Sequence, residues 1–275
     1  VTIGSGVTVI RQDAFRTCTK LADVTISGNV AQIEAGAFFD CSSLTSIEIP
    51  DSIRAVGVTA FNDTGLTFTE DNGARYLGNS GNKYLVLIEA KDKEAITSYD
   101  INANAKVIAD MAFRKCENLT TVSIPESVTD IGAQAFSGCG ELSNLTMSNG
   151  LLTIGQEAFA SCIRLTGLTI PDSVTDIGQF AFQDCQQLAK VTVGGGVMTI
   201  GEHAFHGCNE LTDITLPGTL TEIPAYMFYG CTKLSNITLP SSLTSIKGNA
   251  FSGCTNLSGV TIPGSVTYIG DFAFV

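Results

Sequence analysis

The sequence predicts a single right-handed solenoid, in which short parallel strands from successive repeats stack with turns and helical turns between them and with little regular helix. The first observation is the spacing of the nine cysteines, since seven of the eight steps between neighbours are 23 residues long. The second is that eleven of the fifteen phenylalanines fall on position 21 when each cysteine is counted as position 1. A fixed period of roughly 20 to 50 residues is typical of chains whose units bury their apolar faces by stacking.

The repeat can be written CxxLxxVxIPxSVTxIGxxAFxx, with apolar residues at positions 4, 7, 9, 13, 16, 20 and 21. A part unit, 1–17, opens the chain, and the following units begin at Cys18, Cys41, Thr64, Cys116, Cys139, Cys162, Cys185, Cys208, Cys231 and Cys254. Because the register resumes unchanged at Cys116, we expect one solenoid over residues 1–275. Neither end shows the polar cap that normally shields a stack, so we expect a processed or excised piece of a longer protein.

Each unit should fold as strand, turn, minor strand and turn. Positions 4 to 9, as in Leu119 to Ile124, place apolar residues on one face of a short strand, and Pro or Gly at position 10 ends it. A second extended piece covers positions 13 to 16, followed by Gly and an "xxAF" segment too short for more than a helical turn. Position 8 on the strand surface is usually threonine, which suits a β surface.

The motif read from these units resembles the BspA-like leucine-rich repeats of bacterial surface proteins, whose units read like LTxVTIPxSVTxIGxxAFxGC. The resemblance covers nearly the whole chain. It implies a curved leucine-rich-repeat solenoid with a parallel sheet on one face, secreted or held at the cell surface of a host-associated microbe. It also implies a role in adhesion or host interaction, and it carries no catalytic residues.

The unit from Thr64 to Lys115 breaks the pattern because it is 52 residues long, and the consensus resumes only near Ile101. Within it, Ala74 to Leu77 and Tyr84 to Glu89 flank a Gly and Asn-rich turn, which predicts a β-hairpin. Three of the six tyrosines lie in this region: Tyr76, Tyr84 and Tyr99. The insert is either a recognition element, since tyrosine is favoured at interfaces, or a hairpin that covers or extends the sheet.

Composition narrows the classes of function. The net charge of −12 and the scattered basic residues disfavour nucleic acid, which needs a basic stripe. No apolar run approaches 18 residues, so no membrane insertion is expected. The cysteines should form a ladder of buried, reduced thiols, with Thr64 as its one polar rung, although disulfides or metal ligation stay open. Reduced thiols would suit an intracellular protein, or a secreted one with deeply buried cysteines or an anaerobic habitat.

Candidate chemistry is sparse. His203 and His206 form an H-x-x-H sequence, but they occupy positions that vary freely between units, which indicates an exposed loop. Acidic residues at positions 11 and 15, such as Asp130 and Asp176, should lie in solvated turns, since they match no calcium-binding pattern. The chain has only these two histidines, so the buried cysteines lack a histidine base from another part of the sequence. We therefore expect no enzyme, no catalytic residue, no cofactor and no metal.

Two classes of function remain. The first is a binding or adhesion module that meets a host or microbial surface protein or glycan, and the second is a structural spacer that presents another domain. A binding surface should use strand positions 6 and 8, where charged or amide side chains interrupt the threonine and serine surface, together with the tyrosines of the insert. The candidate contact residues are Glu48, Lys190, Asp213, Asn236, Tyr76, Tyr84 and Tyr99.

Overall fold

A computed structural model describes residues 1–275 and shows a β-solenoid of about 12 turns with no helix. Nine strands form its front face: β1 (Thr2–Ile3), β3 (Asp23–Ile26), β5 (Ser46–Ile47), β10 (Ser98–Asp100), β12 (Thr121–Ile124), β14 (Asn144–Met147), β16 (Gly167–Ile170), β18 (Lys190–Val193) and β20 (Asp213–Thr215). They pair in parallel, in three sheets ordered β1-β3-β5, β10-β12-β14 and β16-β18-β20. Paired residues are 23 apart, as in Thr121 opposite Asn144. The parallel stacking of short strands is therefore confirmed, and the strands are shorter than predicted, since they cover at most positions 6 to 9 and not 4 to 9.

A second row of two-residue strands carries positions 15 and 16. These minor strands are β2 (Val9–Ile10), β4 (Gln32–Ile33), β6 (Ala55–Val56), β11 (Val107–Ile108), β13 (Asp130–Ile131), β15 (Thr153–Ile154), β17 (Asp176–Ile177), β19 (Thr199–Ile200), β21 (Glu222–Ile223), β22 (Ser245–Ile246) and β23 (Tyr268–Ile269). They also pair in parallel with the 23-residue shift. Since no helix is present, none is long and apolar enough to cross a membrane.

The enlarged unit contains the predicted hairpin and one strand more. Strand β8 (Ala74–Leu77) pairs antiparallel with β9 (Val86–Ala90), as the turn sequence predicts, and β7 (Thr69–Asp71) adds a third antiparallel strand. A tight turn at Asn72 and Gly73, both with positive φ, joins β7 to β8. Strand β9 then pairs in parallel with β11, so the hairpin extends the minor-strand sheet.

The repeat register resumes earlier than the sequence suggested. Strand β10 pairs with β12 in the usual 23-residue shift, which places Lys93 at position 1, on the cysteine rung, and Tyr99 at position 7. The segment 93–115 is therefore a complete solenoid unit, and the expectation that the consensus resumes only near Ile101 is wrong. The cysteine ladder accordingly has a second polar rung besides Thr64, because a lysine stands at position 1.

The buried core has two parts that meet at the hairpin. A cluster of 20 buried residues lies mainly in residues 1–63, here called the N-terminal stack, and a cluster of 58 includes the core of residues 93–275, the C-terminal stack. Alternate residues of the strands between them divide: Leu77 and Val86 join the N-terminal cluster, whereas Tyr76 and Leu87 join the C-terminal one. That residues 1–275 form one solenoid without a domain boundary stays a prediction.

The phenylalanine ladder is the main packing feature of both stacks. Successive rings stack nearly parallel, for example Phe136 on Phe159 with centroids 5.1 Å apart. The ladder is interrupted after Phe61, and Phe113 instead packs against Tyr99 at a tilt of 49°. All nine cysteines are free thiols, and every one except Cys18 is buried. The predicted reduced and buried ladder is therefore confirmed for eight of the nine.

Two turn positions in each unit have left-handed backbone. Position 19 has a positive φ in eleven units, and ten of these residues are not glycine; examples are Gln134, Phe180 and Tyr226. Position 23 also has positive φ, with glycine in four units. Such residues cost stability unless their surroundings hold them. In all units except those that begin at Cys41 and Cys254, the amides at positions 19, 21 and 23 donate to carbonyls of the next unit, as Gln134 does to Gln156 at 2.8 Å.

One acidic residue departs from its predicted position in a solvated turn. Asp130 is 5% exposed, and it is the only buried charged side chain. Its carboxylate accepts from the Arg54 guanidinium at 2.9 Å and from the hydroxyls of Thr129 and Thr153 at 2.7 and 2.8 Å. Arg54 lies 76 residues earlier, in the N-terminal stack, so this ion pair joins the two stacks.

Candidate interaction surfaces

The front strands present alternate side chains to solvent. In β16 and β18 the burial alternates between exposed and buried, so Thr169 and Thr192 face outward while Leu168 and Val191 face the core. Period-two alternation of this kind is expected for a sheet with one packed face. The outward residues of paired strands lie side by side, which produces a polar surface rich in hydroxyl groups.

Lys190 lies beside an interruption in this surface. Strands β14 and β16 belong to separate sheets and are not paired with each other. A hollow of about 400 Å³ lies there, lined by Met147, Gly167, Thr169 and Lys190 among others. Lys190 is exposed and makes no ion pair with any carboxylate. The hollow therefore combines hydroxyl groups, an apolar floor and one free ammonium group.

Asp213 and Asn236 lie together at a second interruption. Strand β20 is the last strand of the front sheet, and beyond it Asn236 forms only an isolated bridge with Gly259. Both side chains are exposed and line a hollow of about 610 Å³ whose other walls include Thr215 and Ser241. The structure thus brings together two of the sequence-predicted residues and places Lys190 on the paired strand next to Asp213.

Glu48 is exposed but already has a partner within the chain. Its carboxylate accepts from the backbone N–H of Ser80 at 2.6 Å, in the turn of the β8–β9 hairpin. Asn79 of the same turn donates to the carbonyl of Ile49 at 2.9 Å. Glu48 therefore fixes the hairpin turn against the front strand of the preceding unit.

The three tyrosines differ in exposure. Tyr76 and Tyr99 are 0% and 2% exposed, so the expectation that they leave the core is corrected. Their hydroxyls lie 2.8 Å apart, and Tyr99 donates to the carbonyl of Asp71 at 3.0 Å. Burial raises the pKa of both phenols. Only Tyr84 reaches the surface, where its ring packs edge-on to Tyr76 at 5.5 Å and lies 5.3 Å from the ammonium of Lys83.

A surface stack of aromatic rings was not found by sequence reasoning. Position 19 carries Phe180, His203 and Tyr226 in three consecutive units, with ring centroids 4.4 and 4.5 Å apart. His206 and Tyr229 at position 22 form a second stacked pair at 4.9 Å. The histidines are half-buried, which lowers the pKa of His203, and the neighbouring His206 lowers it further. Aligning the units and comparing position 19 alone would have revealed this feature.

No group of three or more His, Cys, Asp or Glu side chains is arranged to hold a metal ion. His203 and His206 face each other with their Nδ1 atoms 3.2 Å apart, and no carboxylate or thiol completes a set of ligands. The thiols of the buried cysteines donate to backbone carbonyls, as Cys139 does to Phe113 at 3.1 Å. Burial also raises the pKa of Cys139 to about 12, which suppresses the reactive thiolate.

Comparison with known proteins agrees with this architecture. The family model described as BspA type leucine rich repeat region matches in 6 copies, over residues 1–72, 91–211 and 152–275. The unmatched residues 73–90 contain β8, the turn and β9, and the match resumes two residues before Lys93. No curated protein matches the chain.

Solved structures show the same fold. A leucine-rich repeat protein of T. pallidum is 29% identical, with a TM-score of 0.63, over 70% of this chain and 91% of that one. A leucine-rich repeat protein from Eubacterium ventriosum ATCC 27560 is 23% identical, with a TM-score of 0.55, over 100% of this chain and 81% of that one. The leucine-rich repeat fold generally serves as a non-enzymatic scaffold for protein interaction. The chain belongs to the BspA-type leucine-rich repeat family.

Proposed function

We propose that this chain is a non-enzymatic adhesion module of a secreted or cell-surface protein, and that it binds a host or microbial surface protein or glycan through its front face. The observation that carries the proposal is the clustering of Lys190, Asp213 and Asn236 at the interruptions of an otherwise uniform sheet. Recognition surfaces combine a few placed polar groups with concave apolar area, and both hollows do so.

The chemistry of the face suits a polar partner. Rows of threonine hydroxyls both donate and accept hydrogen bonds, and one ammonium, one carboxylate and one amide lie within two hollows. Such groups match the hydroxyls and amides of glycans and the polar side chains of protein surfaces. Tyr84 and Glu48 lie on the hairpin side of the molecule and offer a separate contact region.

Location outside the cell is supported by the family and is compatible with the thiols. Eight cysteines are buried, which shields their thiols from oxidants, and in seven of them the sulfur atom donates to the carbonyl of the phenylalanine 26 residues earlier. A fold that needs no disulfide and hides its thiols is stable in either redox environment.

The test is a binding screen with matched variants. The chain is presented to arrays of extracellular-matrix proteins and glycans, and each hit is remeasured with the triple variant Lys190→Ala, Asp213→Ala and Asn236→Ala. The control triple variant replaces Lys20, Glu117 and Asn209 by alanine, since these exposed residues lie at positions 2 and 3, away from the front strands.

We expect the front-face variant to lose about tenfold or more in affinity while the control keeps it. Equal affinity of the two variants would reject the front face as the binding surface. A screen without any hit would favour the spacer, in which the solenoid presents another domain. Tyr84→Ala measures the contribution of the hairpin, because deleting residues 74–99 would remove the buried Tyr76 and Tyr99.

A further inference from the structure

The junction between the two stacks lacks a row of backbone hydrogen bonds that neighbouring units possess. In the unit before it, the amides of Gly36, Phe38 and Asp40 donate to carbonyls of the next unit at 3.1, 2.8 and 2.9 Å. The equivalent amides of the following unit belong to Thr59, Phe61 and Asp63, and these have no backbone or side-chain acceptor.

These three amides point toward the place where the next turn of the solenoid would lie. The backbone at Thr59 and Asp63 has the same left-handed φ, 58° and 57°, as the equivalent residues of other units, so the donors keep the usual direction. Phe61 is 2% exposed. Unpaired N–H groups in buried backbone are rare in folded proteins, so the amide of Phe61 indicates a missing acceptor, and the exposed residues Thr59 and Asp63 place one more unpaired amide on each side of it.

On the opposite wall of the junction, carbonyl groups lack the amide donors that other units supply. In a regular unit the carbonyls at positions 18, 20 and 22 each accept an amide from the preceding unit. In the first unit of the C-terminal stack, only Ala112 does so, from Ala90 at 2.8 Å, whereas the carbonyls of Asp110 and Arg114 accept no amide. Donors on one wall and acceptors on the other thus face a gap.

The gap is open and basic. A hollow of about 320 Å³ lies between Val56–Asn62 on one side and Ile88, Lys93 and Ala109–Lys115 on the other. A neighbouring hollow of about 560 Å³ shares Phe61, Asn62 and Glu89 with it, although that one is lined by more acidic than basic residues.

Three cations in the first hollow have no partner in the protein. Eight of the fifteen Lys and Arg side chains form ion pairs, but Lys93, Arg114 and Lys115 form neither an ion pair nor a side-chain hydrogen bond. The two carboxylates beside them already have partners. Glu89 pairs with Arg75 at 2.9 Å, and Asp110 accepts from the amide of Ala133 at 2.7 Å.

We propose that this junction binds an extended, acidic peptide segment of a partner protein, whose main chain supplies the hydrogen bonds of the missing turn. Its carbonyls accept from Thr59, Phe61 and Asp63, and its carboxylates pair with Lys93, Arg114 and Lys115. Unpaired amides spaced two residues apart bind main-chain carbonyls in the manner of strand addition, and charge complementarity in a protein of net charge −12 selects acidic side chains.

This site is separate from the front face, so the two proposals can fail independently. The probe is a fluorescein-labelled peptide, Gly-Glu-Ala-Glu-Ala-Glu-Gly, whose alternate residues place carboxylates on one side and methyl groups on the other when extended. Its matched controls replace glutamate by glutamine or by lysine. Binding is followed by fluorescence anisotropy with the whole chain.

We expect the acidic peptide to bind and the lysine peptide not to bind. The triple variant Lys93→Gln, Arg114→Gln and Lys115→Gln should weaken binding about tenfold or more. Its charge-matched control is the triple variant Lys20→Gln, Lys83→Gln and Arg164→Gln, at exposed positions outside both proposed sites, which should bind as the unchanged protein does. Failure of the acidic peptide to bind, equal binding of all three peptides, or undiminished binding by the first variant would overturn the proposal.

Amide hydrogen exchange tests the backbone contacts independently of charge. In the free chain the amides of Thr59, Phe61 and Asp63 should exchange as fast as those of Phe272 and Phe274, the equivalent unpaired amides of the last unit. The acidic peptide should slow exchange of the first set only. Slow exchange in the free chain would mean that these amides have acceptors within the protein. Equal slowing by glutarate would mean that the site binds small carboxylates. Either result would overturn the proposal that the junction binds an acidic peptide.

Discussion

Truncating one ring of the phenylalanine ladder should show how the stack is stabilised. Phe159 is 0% exposed, and its ring lies between those of Phe136 and Phe182 at 5.1 and 5.5 Å. Burying a phenylalanine contributes about 1.5 to 3 kcal/mol, and truncation to alanine costs about 3 to 5 kcal/mol because a cavity remains. The cavity in Phe159→Ala cannot collapse easily, since Phe136 and Phe159 each donate a 2.8 Å backbone bond to the next unit.

Two further substitutions provide reference values for the loss of stability in Phe159→Ala. Phe274 is 41% exposed and stacks on a single ring, Phe251, so Phe274→Ala should cost roughly half as much or less. Thr169 is exposed on the front face, and Thr169→Ala should change stability by no more than about 0.5 kcal/mol. The free energy of unfolding is measured by urea titration followed by circular dichroism. Equal destabilisation by Phe159→Ala and Thr169→Ala would refute the assignment of the buried face.

Three other outcomes follow from buried groups and from the ion pair between the stacks. A thiol reagent should find one fast thiol, Cys18, in the native chain and nine in denaturant, and fewer than nine would indicate disulfides. Burial raises the pKa of Asp110, so its contribution to stability is present below about pH 4 and is lost as the pH rises through the folded-state value. Asp110→Asn, which keeps an acceptor for Ala133, should therefore raise the melting temperature at pH 7 but not below pH of about 4; a pH-independent difference would contradict this. Arg54→Ala leaves Asp130 buried without its cation and should lower the free energy of unfolding by about 1 to 3 kcal/mol. If the two stacks unfold separately, the transition of the N-terminal stack should come earlier, and if they unfold together, one transition should shift. No change in stability would show that the ion pair does not hold the stacks together.

The sequence predicted most of the fold because every unit repeats the same buried positions. The parallel front strands, the phenylalanine ladder and the thiol ladder each depend only on contacts between neighbouring units, so the period determines them. The β8–β9 hairpin was predicted for a different reason, namely the local preference of Gly and Asn for a tight turn.

The features that sequence reasoning missed depend on contacts that the period does not encode. Lys93 and Tyr99 occupy regular positions, but they replace the two residue types, Cys and Val, that identify a unit, so 93–100 was interpreted as part of the insert. Asp130 could not be predicted as buried, because its partner Arg54 lies 76 residues away across the junction. The candidate residues Lys190, Asp213 and Asn236 were identified as exceptions to the threonine surface, and the hollows that bring them together come from breaks in strand pairing.

In the left-handed turns, the side chain at position 19 is not needed to hold the backbone conformation. The main chain there is held by bonds from amide to carbonyl between units, and residues as different as Asp13, Met111, Tyr226 and Asn249 all adopt the same conformation. The identity of this residue can therefore change between generations at little cost to the fold. The side chains at position 19 thus form a regularly spaced column, and substitutions in it, natural or designed, can change the surface one unit at a time.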